Sequence, residues 1–537
     1  MELTIQGLED REDWLKAGIE IPSYDIVKTA EKAKSGPRWA HFGIGNIFRI
    51  FLGGIADKLI SEGDMEGGIT CLETFDFDVV DKIYEPFDNL VLSVTLHKDG
   101  RRTMKVLGSL SEALKVDGNS GSRKRLREIF AAKSLEMVSF TITEKGYELR
   151  NADNEIFPYV LSDFENGPDG KLNSAMSIVA AGLFDRYKDG KTPLALVSMD
   201  NVSQNGKKLR ESVIEVVRQW NERNMVPDEF LQWVRDEKNV SFPWSMIDKI
   251  TPRPSKEVAD DLEKAGVKNM QPVTTGKRTY IAPFVNAEGP QYLVIEDSFP
   301  NGRPPLEKAG VYMTDRDTVN ASERMKVTVC LNPIHSALGP YGVLLGIEKF
   351  SDVMADPDLL KLANIVGPIE GMPVVIDPGI ISPEAFMKEL MEDRFINPYL
   401  PDTNQRLCTD ISQMLAVRFG VTTRAYMEKY GTAANLRGVP LAAAGWLRYL
   451  LKIDDEGNSF ELAPDPANAE LTKQLSDIVF GDDSSVKDQL RPILSNVNYF
   501  GVDLYKAGLG DKVEEIFKKM ISGPSQVRKT LQEYVNL

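Results

Sequence analysis

Cysteine and histidine are scarce in this sequence. Its 537 residues include only Cys71, Cys330 and Cys408, which are far apart, and only His41, His97 and His335. We find no CxxC, no HExxH and no paired Cys/His spacing, so a zinc-dependent enzyme is not expected. A disulfide framework is not expected either, and the low cysteine content is consistent with a location in the reducing cytoplasm. Carboxylate-only Mg²⁺ or Mn²⁺ sites remain open at this stage, but our prediction is no metal.

Positive charge and long apolar runs are also lacking. The formal net charge is −16, which argues against a nucleic-acid or anionic-membrane surface because phosphate binding requires a basic footprint. We find no apolar run of ~18 or more residues, the length that a membrane-spanning helix requires. The charged start MELTIQGLEDREDW does not resemble a signal peptide. A Walker-type loop, a GxSxG motif and internal repeats are not evident. The composition leaves an anionic small substrate possible.

The first part of the chain alternates short β-rich runs with helical stretches. This alternation predicts an α/β domain with a mostly parallel sheet at about 1–300. The runs read as strands are Arg38–Phe42, Gly68–Thr74, Asn89–Leu96, Thr103–Leu107, Leu135–Thr143 and Pro193–Met199, with helices over Asn46–Ile60 and Ala175–Tyr187. The turn His97–Gly100 suggests a hairpin.

After about residue 300 few strand signals remain, and a helical domain is predicted at about 301–537. Turn residues at Asn301–Pro305 mark the junction. The acidic segment Ile453–Asn468 reads as an exposed, solvated loop. Helices are predicted over Glu323–Leu331, Ser382–Glu392, Thr403–Arg418, Leu441–Leu451, Ala469–Phe480, Val486–Leu494 and Asp511–Val535.

A glycine-containing turn follows the first of these strands. His41–Arg49 reads HFGIGNIFR, the first half of a dinucleotide fingerprint. Gly43 permits the tight turn, and Gly45 lets a pyrophosphate approach the backbone N–H groups at the positive end of the helix. Phe48 replaces the third glycine, and a lone GxG also occurs in ordinary strand–helix turns. The cofactor-binding candidates here are Phe42, Gly43, Ile44, Gly45, Asn46, Ile47 and Arg49.

The second strand ends at Glu73. An acidic residue at that place binds the ribose hydroxyls of NAD and repels the 2′-phosphate of NADP. NAD is therefore the predicted cofactor. Glu73 is equally consistent with a solvated carboxylate at a strand end, and Asp76 and Asp78 are competing candidates.

Six segments in order resemble the long-chain polyol and mannitol dehydrogenase family, which includes mannitol 2-dehydrogenase and the fructuronate and tagaturonate reductases. They are HFGIGNIFR, TEKGY (Thr143–Tyr147), SMDNVSQNG (Ser198–Gly206), FPWSMIDKITP (Phe242–Pro252), KVTVCLNPIHS (Lys326–Ser336) and RFINP (Arg394–Pro398). The resemblance implies a Rossmann-type N-terminal domain, a helical C-terminal domain, NAD(P) and no metal. It adds Thr143 and Glu144 to the cofactor-binding candidates.

The resemblance also implies catalytic residues. Members use a lysine acid/base in the pattern K-x4-N-x2-H, with two asparagines that hold the reacting oxygen. Carried over, Lys326 is the acid/base, Asn332 and Asn201 bind the oxygen, and His335 is a polar partner. Read locally, Asn332-Pro333 is also a helix N-cap followed by proline. Without a metal, such donors must polarise the ketone and deliver the proton.

Lys326 lies one residue too far from Asn332, because the two are six apart where the family has five. In a regular helix one extra residue rotates a side chain by about 100°. Either a π-bulge absorbs this residue or the chemistry has changed. We therefore predict an irregular helix between Lys326 and Asn332.

Substrate recognition is implied for Asp248 and Arg406. Relatives often carry a lysine where this chain has Met414 after Ser412-Gln413. Arg406, with nearby Arg394, could bind a sugar-acid carboxylate bidentately. We predict reduction of a hexuronate such as fructuronate to the aldonate, with a mannitol 2-dehydrogenase or other polyol dehydrogenase as the alternative. A catalytically altered nucleotide-binding sensor is the alternative of another class. The sequence leaves the oligomeric state open.

Overall fold

The chain forms two compact units, Met1–Asn320 and Ala321–Leu537. A computed structural model describes residues 1–400 and 402–537. The division falls after the Asn301–Pro305 turn that the sequence suggests as the junction. Among the described residues, no helix is both long enough and apolar enough to cross a membrane.

Fifteen strands lie in the first unit. In chain order they are β1 (Ile19–Glu20), β2 (Trp39–Phe42), β3 (Ile69–Glu73), β4 (Val91–Leu96), β5 (Arg102–Leu107), β6 (Leu110–Lys115), β7 (Met137–Phe140), β8 (Leu194–Ser198), β9 (Val240–Ser241), β10 (Ser245–Asp248), β11 (Val273–Thr274), β12 (Tyr280–Ile281), β13 (Phe284–Glu288), β14 (Tyr292–Glu296) and β15 (Tyr312–Thr314).

The main sheet has six parallel strands in the order β6-β3-β2-β7-β8-β9. Numbered within this sheet alone, that order is 3-2-1-4-5-6, the doubly wound order. The chain leaves β2 towards one edge of the sheet and later returns beside it with β7. The switch point therefore lies between β2 and β7, where open α/β sheets bind ligands.

Helices cover both faces of this sheet. The helices of the first unit are α1 (Arg11–Lys16), α2 (Ile26–Ser35), α3 (Gly53–Ser61), α4 (Ser120–Ala131), α5 (Thr143–Tyr147), α6 (Pro158–Asn166), α7 (Ala175–Lys188), α8 (Asn205–Glu222), α9 (Asp228–Arg235) and α10 (Lys256–Lys264). Leu126, Val179 and Leu209 of α4, α7 and α8 pack on one face. Ile55 of α3 packs on the other.

The predicted hairpin is present but belongs to another sheet. β4 and β5 pair antiparallel in a four-stranded sheet of order β1-β5-β4-β13. The remaining strands form a three-stranded sheet, β10-β14-β15, and a pair, β11-β12.

The second unit is helical. The division falls within α11 (Arg316–Met325), and the helices that follow are α12 (Asn332–Leu344), α13 (Phe350–Ala355), α14 (Pro357–Asn364), α15 (Pro383–Glu389), α16 (Asn404–Leu407), α17 (Leu415–Arg418), α18 (Gly420–Tyr430), α19 (Gly438–Tyr449), α20 (Asn468–Gln474), α21 (Arg491–Leu494), α22 (Val497–Phe500), α23 (Gly510–Ile521) and α24 (Gln526–Val535). α19 is buried throughout and packs against α12 and α23. At Gly445 a Cβ atom would lie 2.5 Å from the Tyr341 ring, so only glycine permits this helix contact.

Five described segments are π-helical: Phe48–Leu52, Val80–Tyr84, Lys326–Cys330, Ile365–Gly371 and Leu390–Arg394. In a π turn the N–H of one residue bonds the carbonyl five residues earlier, so the turn holds one residue more than an α turn. Such turns are frequent at functional sites. The segment Lys326–Cys330 is the irregularity that the sequence predicts.

Several helix predictions in the second unit are too long. The predicted helix Thr403–Arg418 is broken where Asp410 adopts a left-handed conformation with φ of 52°. The prediction for Asp511–Val535 fails at Gly523, which has φ of 150° and is followed by a proline. Of Val486–Leu494, only α21 is helical.

The acidic segment Ile453–Asn468 is not a merely solvated loop. Asp455 is only 4% exposed, and its carboxylate accepts hydrogen bonds from the backbone N–H groups of Val527 and Arg528. Asp465 likewise binds the backbone and hydroxyl of Ser412. These carboxylates hold distant segments of the second unit together, which the local sequence does not reveal.

Candidate active site

The glycine turn follows β2 at the switch point of the main sheet. Gly43 has φ of 87°, and a Cβ atom there would lie 2.2 Å from the carbonyl oxygen of Thr141, so only glycine fits. Around Gly45, by contrast, a Cβ atom would meet nothing within 4 Å. The helix begins at Asn46. Its positive end is therefore open to an anionic group such as a pyrophosphate.

His41 supports this turn from inside the sheet. It is fully buried, with Nδ1 2.6 Å from the Ser139 hydroxyl and Nε2 2.9 Å from the Thr141 hydroxyl. Nε2 also lies 3.1 Å from the carbonyl oxygen of Gly43. Burial lowers the pKa of His41 to about 3, so the imidazole is neutral. His41 has a structural role that the sequence did not suggest.

Phe48 occupies the place of the missing third glycine. Its ring stacks on His41 with centroids 4.0 Å apart and an interplanar angle of 7°. The helix is π-helical over Phe48–Leu52. A third glycine normally permits close packing of the helix on the strand. Here a wider helical turn and a stacked ring fill the same position.

The side chain of Arg49 is engaged within the protein, and its assignment to the cofactor stays a prediction. Arg49 is fully buried, and its guanidinium donates to the carbonyl oxygens of Ala282 and Pro283 at 2.8 and 2.9 Å. Arg49 therefore fixes the turn to a distant part of the first unit. Phe42 is likewise fully buried in β2, and its ring belongs to the core. Ile44 is buried, and Asn46 and Ile47 are half-buried.

Glu73 ends β3, next to the glycine turn. It is 8% exposed, and one carboxylate oxygen accepts hydrogen bonds of 2.8–3.1 Å from the N–H groups of Thr74, Phe75 and Asp76. Burial raises the pKa of Glu73, and these backbone bonds oppose the shift. The carboxylate thus orders the loop after β3, while its role in cofactor choice stays a prediction.

The competing carboxylates are also engaged by the protein. Asp76 accepts hydrogen bonds from the hydroxyls of Thr275 and Thr279 at 2.6 and 2.5 Å. Asp78 pairs with Lys82 at 2.8 Å. In the same loop Phe75 is 66% exposed, with the Lys277 ammonium 5.2 Å from its ring centroid. Phe75 is an apolar surface at this sheet edge that sequence reasoning missed.

β7 and β8 end at the same edge of the sheet. Phe42, Phe140 and Ser198 share one row of the register, so the residues that follow them are neighbours. Thr143 and Glu144 are exposed, and Thr143 has a left-handed φ of 61°.

Asp200 ties these two strand ends together. Its carboxylate accepts hydrogen bonds from the N–H groups of Ile142 and Thr143 at 2.9 and 3.0 Å and from the Tyr147 hydroxyl at 2.6 Å. Burial raises the pKa of Asp200, against the effect of those bonds. Asn201 follows directly and is exposed, so Asp200 fixes the backbone from which the Asn201 carboxamide extends.

Asp248 lies elsewhere in the first unit. It ends β10 in the three-stranded sheet, paired in register with Tyr292, and is 7% exposed. The structure therefore brings the glycine turn, Glu73, Thr143, Glu144 and Asn201 to one sheet edge, while Asp248 belongs to another sheet.

The second unit carries Lys326 in a π segment, and Asn332 and His335 in α12, with one residue between the π segment and α12. Lys326 is 2% exposed and begins the π segment. Its carbonyl oxygen accepts the N–H of Leu331, five residues later, at 3.0 Å. This π turn contains the extra residue, so the helix beyond it returns to the phase expected for the shorter spacing. The predicted irregularity is confirmed, and the role of Lys326 stays a prediction.

Asn332 and His335 lie in the first turn of α12. Asn332 is half-buried and is the first residue of the helix, one position past the N-cap at Leu331. The His335 ring packs between Phe350 and Phe395, with centroids 4.7 and 5.0 Å away. These rings fix the imidazole orientation and create a partly apolar surrounding.

Of the arginines considered for substrate, Arg394 is 3% exposed within its π segment. Arg406 lies in α16 with a side chain that is 62% exposed, and its guanidinium pairs with Asp402. Arg394 and Arg406, the two arginines predicted to bind the carboxylate of a sugar acid, thus differ sharply in solvent exposure. Within the described residues, no group of three or more His, Cys, Asp or Glu side chains is arranged to hold a metal ion.

The strand order and the glycine turn at the switch point define the first unit as a Rossmann-type domain. The family model "Mannitol dehydrogenase Rossmann domain" matches residues 37–308, and "Mannitol dehydrogenase C-terminal domain" matches residues 318–521. The chain belongs to the mannitol dehydrogenase family, and it is an oxidoreductase. The resemblance and the fold class inferred from the sequence are confirmed.

Among curated relatives, the D-mannonate oxidoreductase of Thermotoga maritima is 49% identical over 538 residues, covering 100% of this chain and 99% of that one. A mannitol 2-dehydrogenase of Aspergillus fumigatus is 29% identical over 532 residues, covering 96% of each. Among solved structures, Pseudomonas fluorescens mannitol 2-dehydrogenase in ternary complex with NAD and D-mannitol aligns with a TM-score of 0.73, at 24% identity over 100% of both chains.

Proposed function

We propose that the chain is an NAD-dependent oxidoreductase that interconverts D-mannonate and the corresponding keto-sugar acid, fructuronate. The observation that carries this proposal is the 49% identity to a D-mannonate oxidoreductase over the full length of both chains. Since the alignment covers 100% of this chain, it spans both matched domains and the segments that carry the site residues named above.

The proposed cofactor fits the first unit. The open helix end beside Gly45 suits the pyrophosphate, and the carboxylate-rich loop after β3 is unfavourable for a 2′-phosphate. When bound, the nicotinamide supplies or accepts the hydride. Asn201, at the end of β8, is the residue of this unit that we assign to the reacting oxygen.

In the second unit we assign the proton to Lys326. During reduction its Nζ gives a proton to the oxygen of the ketone as the carbon is reduced, and during oxidation it takes that proton back. Asn332 donates a hydrogen bond to the oxygen while negative charge develops on it. His335, oriented by Phe350 and Phe395, adds a further polar contact. Lys326 is 2% exposed, so its side chain is largely shielded from bulk water.

A second candidate is a mannitol 2-dehydrogenase, favoured by the Aspergillus relative at 29% identity. The second unit carries Arg394 and Arg406, which we consider as partners of a carboxylate. A neutral polyol does not require such a cation, so their presence favours a sugar-acid substrate. The metal-independent mechanism and the cytoplasmic location are part of the proposal. The three free, buried cysteines are consistent with a reducing compartment.

The test is NADH oxidation, followed at 340 nm, across a panel of ketouronates and ketoses. We expect kcat/KM for fructuronate to exceed that for fructose by at least about 100-fold, the size of a lost charged contact of ~3 kcal/mol. A preference for fructose would replace the proposal with the mannitol dehydrogenase alternative. No turnover of any member, despite NADH binding, would support the sensor alternative.

A further inference from the structure

Arg418, at the end of α17, is half-buried and has an unusual set of partners for an arginine. One terminal nitrogen donates to the Ser336 hydroxyl, and the other lies against the Met414 sulfur. Within the described residues its guanidinium has no carboxylate and no carbonyl oxygen as a partner. Burial lowers the pKa of Arg418 to about 10, because charge is disfavoured where no counter-charge compensates it.

Three fully buried arginines show how this protein otherwise provides hydrogen-bond acceptors for a guanidinium. Arg186 donates to the carbonyl oxygens of Phe130, Ala132, Leu135, Thr192 and Pro193. Arg49 and Arg448 also donate to backbone carbonyls. A guanidinium offers five N–H groups, and a thioether is a weak acceptor. Arg418 therefore keeps donor capacity that a ligand can use.

The position of Arg418 connects this capacity to the proposed site. Its helix α17 packs against the π segment that begins with Lys326 and against α12. Ser336, which receives its hydrogen bond, directly follows His335 in α12. The cation is thus held against the helix that carries Asn332 and His335, within the second unit.

The local sequence is consistent with a substrate-binding cation at position 418 in place of the lysine that relatives carry at position 414. Met414 stands where the family resemblance gives a lysine, and the N–H of Arg418 bonds the carbonyl oxygen of Met414 at 2.9 Å. The two residues are therefore one helical turn apart on the same face. A planar guanidinium binds a carboxylate through two parallel hydrogen bonds, which an ammonium cannot do.

We propose that Arg418, positioned by Ser336, binds the carboxylate of the sugar acid and thereby selects keto-sugar acids over neutral ketoses. This inference rests on the proposed function. Arg418 supplies the positive charge that Met414 lacks. Arg406 is less suited, because it is exposed and already paired with Asp402.

The test compares Arg418→Gln with the wild type on fructuronate and on fructose. Loss of one partner of a buried charge pair costs about 2–5 kcal/mol, so we expect kcat/KM for fructuronate to fall by about 30-fold or more while that for fructose changes less than about threefold. Arg418→Lys should recover part of the activity on the acid. The control is Arg424→Gln, which removes an equal charge from α18, where the guanidinium bonds the Gly501 carbonyl at 2.7 Å.

A second readout is thermal stabilisation of each protein by D-mannonate, which needs no turnover. Wild type and Arg424→Gln should be stabilised, and Arg418→Gln should not. Equal loss on acid and ketose, or retained stabilisation by D-mannonate in Arg418→Gln, would overturn the assignment. Selective loss in Arg406→Gln alone would give the carboxylate to Arg406. A wild type active only on neutral ketoses would instead overturn the proposed function, and this inference with it.

Discussion

The buried histidine beneath the glycine turn makes the stability of the first unit depend on pH. His41 has a pKa of about 3 in the folded protein, against an ordinary value of 6.5. Below pH 6.5 His41 becomes protonated in the unfolded chain but stays neutral in the folded protein. The contribution of His41 to stability is therefore complete above pH 6.5 and declines as the pH falls towards 3.

The magnitude follows from the size of this shift. At ~1.4 kcal/mol per pKa unit, moving from pH 8 to pH 5 removes about 2 kcal/mol of unfolding free energy through this one group. The full loss would approach roughly 5 kcal/mol near pH 3. The cause is geometric, since the ring nitrogens face two hydroxyls and a carbonyl and Phe48 covers one face.

The assay is urea unfolding, followed by tryptophan fluorescence, at pH 8 and at pH 5. The variant is His41→Gln, which keeps a donor and an acceptor but cannot take up a proton. We expect the pH-dependent loss to be smaller in His41→Gln than in the wild type by about 2 kcal/mol. His97→Gln, which removes a half-buried histidine beside Thr103, is the control and should behave like the wild type. Identical pH dependence in wild type and His41→Gln would show that His41 does not cause the loss of stability at low pH.

Further predictions concern the site. Lys326→Ala should lower kcat by about 10² to 10⁴, the usual contribution of a general acid/base, and leave the Kd for NADH unchanged; an unchanged kcat would remove Lys326 from the mechanism. Gly43→Ala should lower the free energy of unfolding in urea by more than about 1–2 kcal/mol, because Gly43 has a positive φ. Gly45→Ala should fold normally and weaken NADH binding in a fluorescence titration. A stable Gly43→Ala together with a destabilised Gly45→Ala would contradict the geometry of the turn. Glu73→Ser should narrow the preference for NAD over NADP measured by binding, and equal affinities in the wild type would contradict that role. Exhaustive treatment with EDTA should leave turnover unchanged, and a loss restored by a divalent ion would reveal a metal site.

Local patterns predicted the parts of the fold that are governed by local physics. The Gly43–Gly45 turn required a strand before it and a helix after it, and both are present. The one-residue offset between Lys326 and Asn332 predicted an irregular helix because a regular one cannot absorb an extra residue. The π turn with the Leu331 N–H bonded to the Lys326 carbonyl is that irregularity.

Contacts between distant parts of the chain were not predictable in the same way. Arg49 lies inside a cofactor motif in the sequence, yet its partners are carbonyl oxygens of Ala282 and Pro283, which no local pattern indicates. The buried Asp455 beneath α24 is a similar case. Arg418 was missed although its spacing from Met414 offered a signal, because only packing reveals that, within the described residues, its guanidinium has no carboxylate partner.

Oxidation of D-mannonate by this chain, with NAD as the oxidant, is the reaction to measure first. The measurement is the initial rate of NAD reduction with D-mannonate and with D-mannitol at equal concentrations. We expect rapid NADH formation with D-mannonate and a rate at least about 100-fold lower with D-mannitol, because D-mannitol lacks a charged contact of ~3 kcal/mol. Faster oxidation of D-mannitol than of D-mannonate would contradict this expectation.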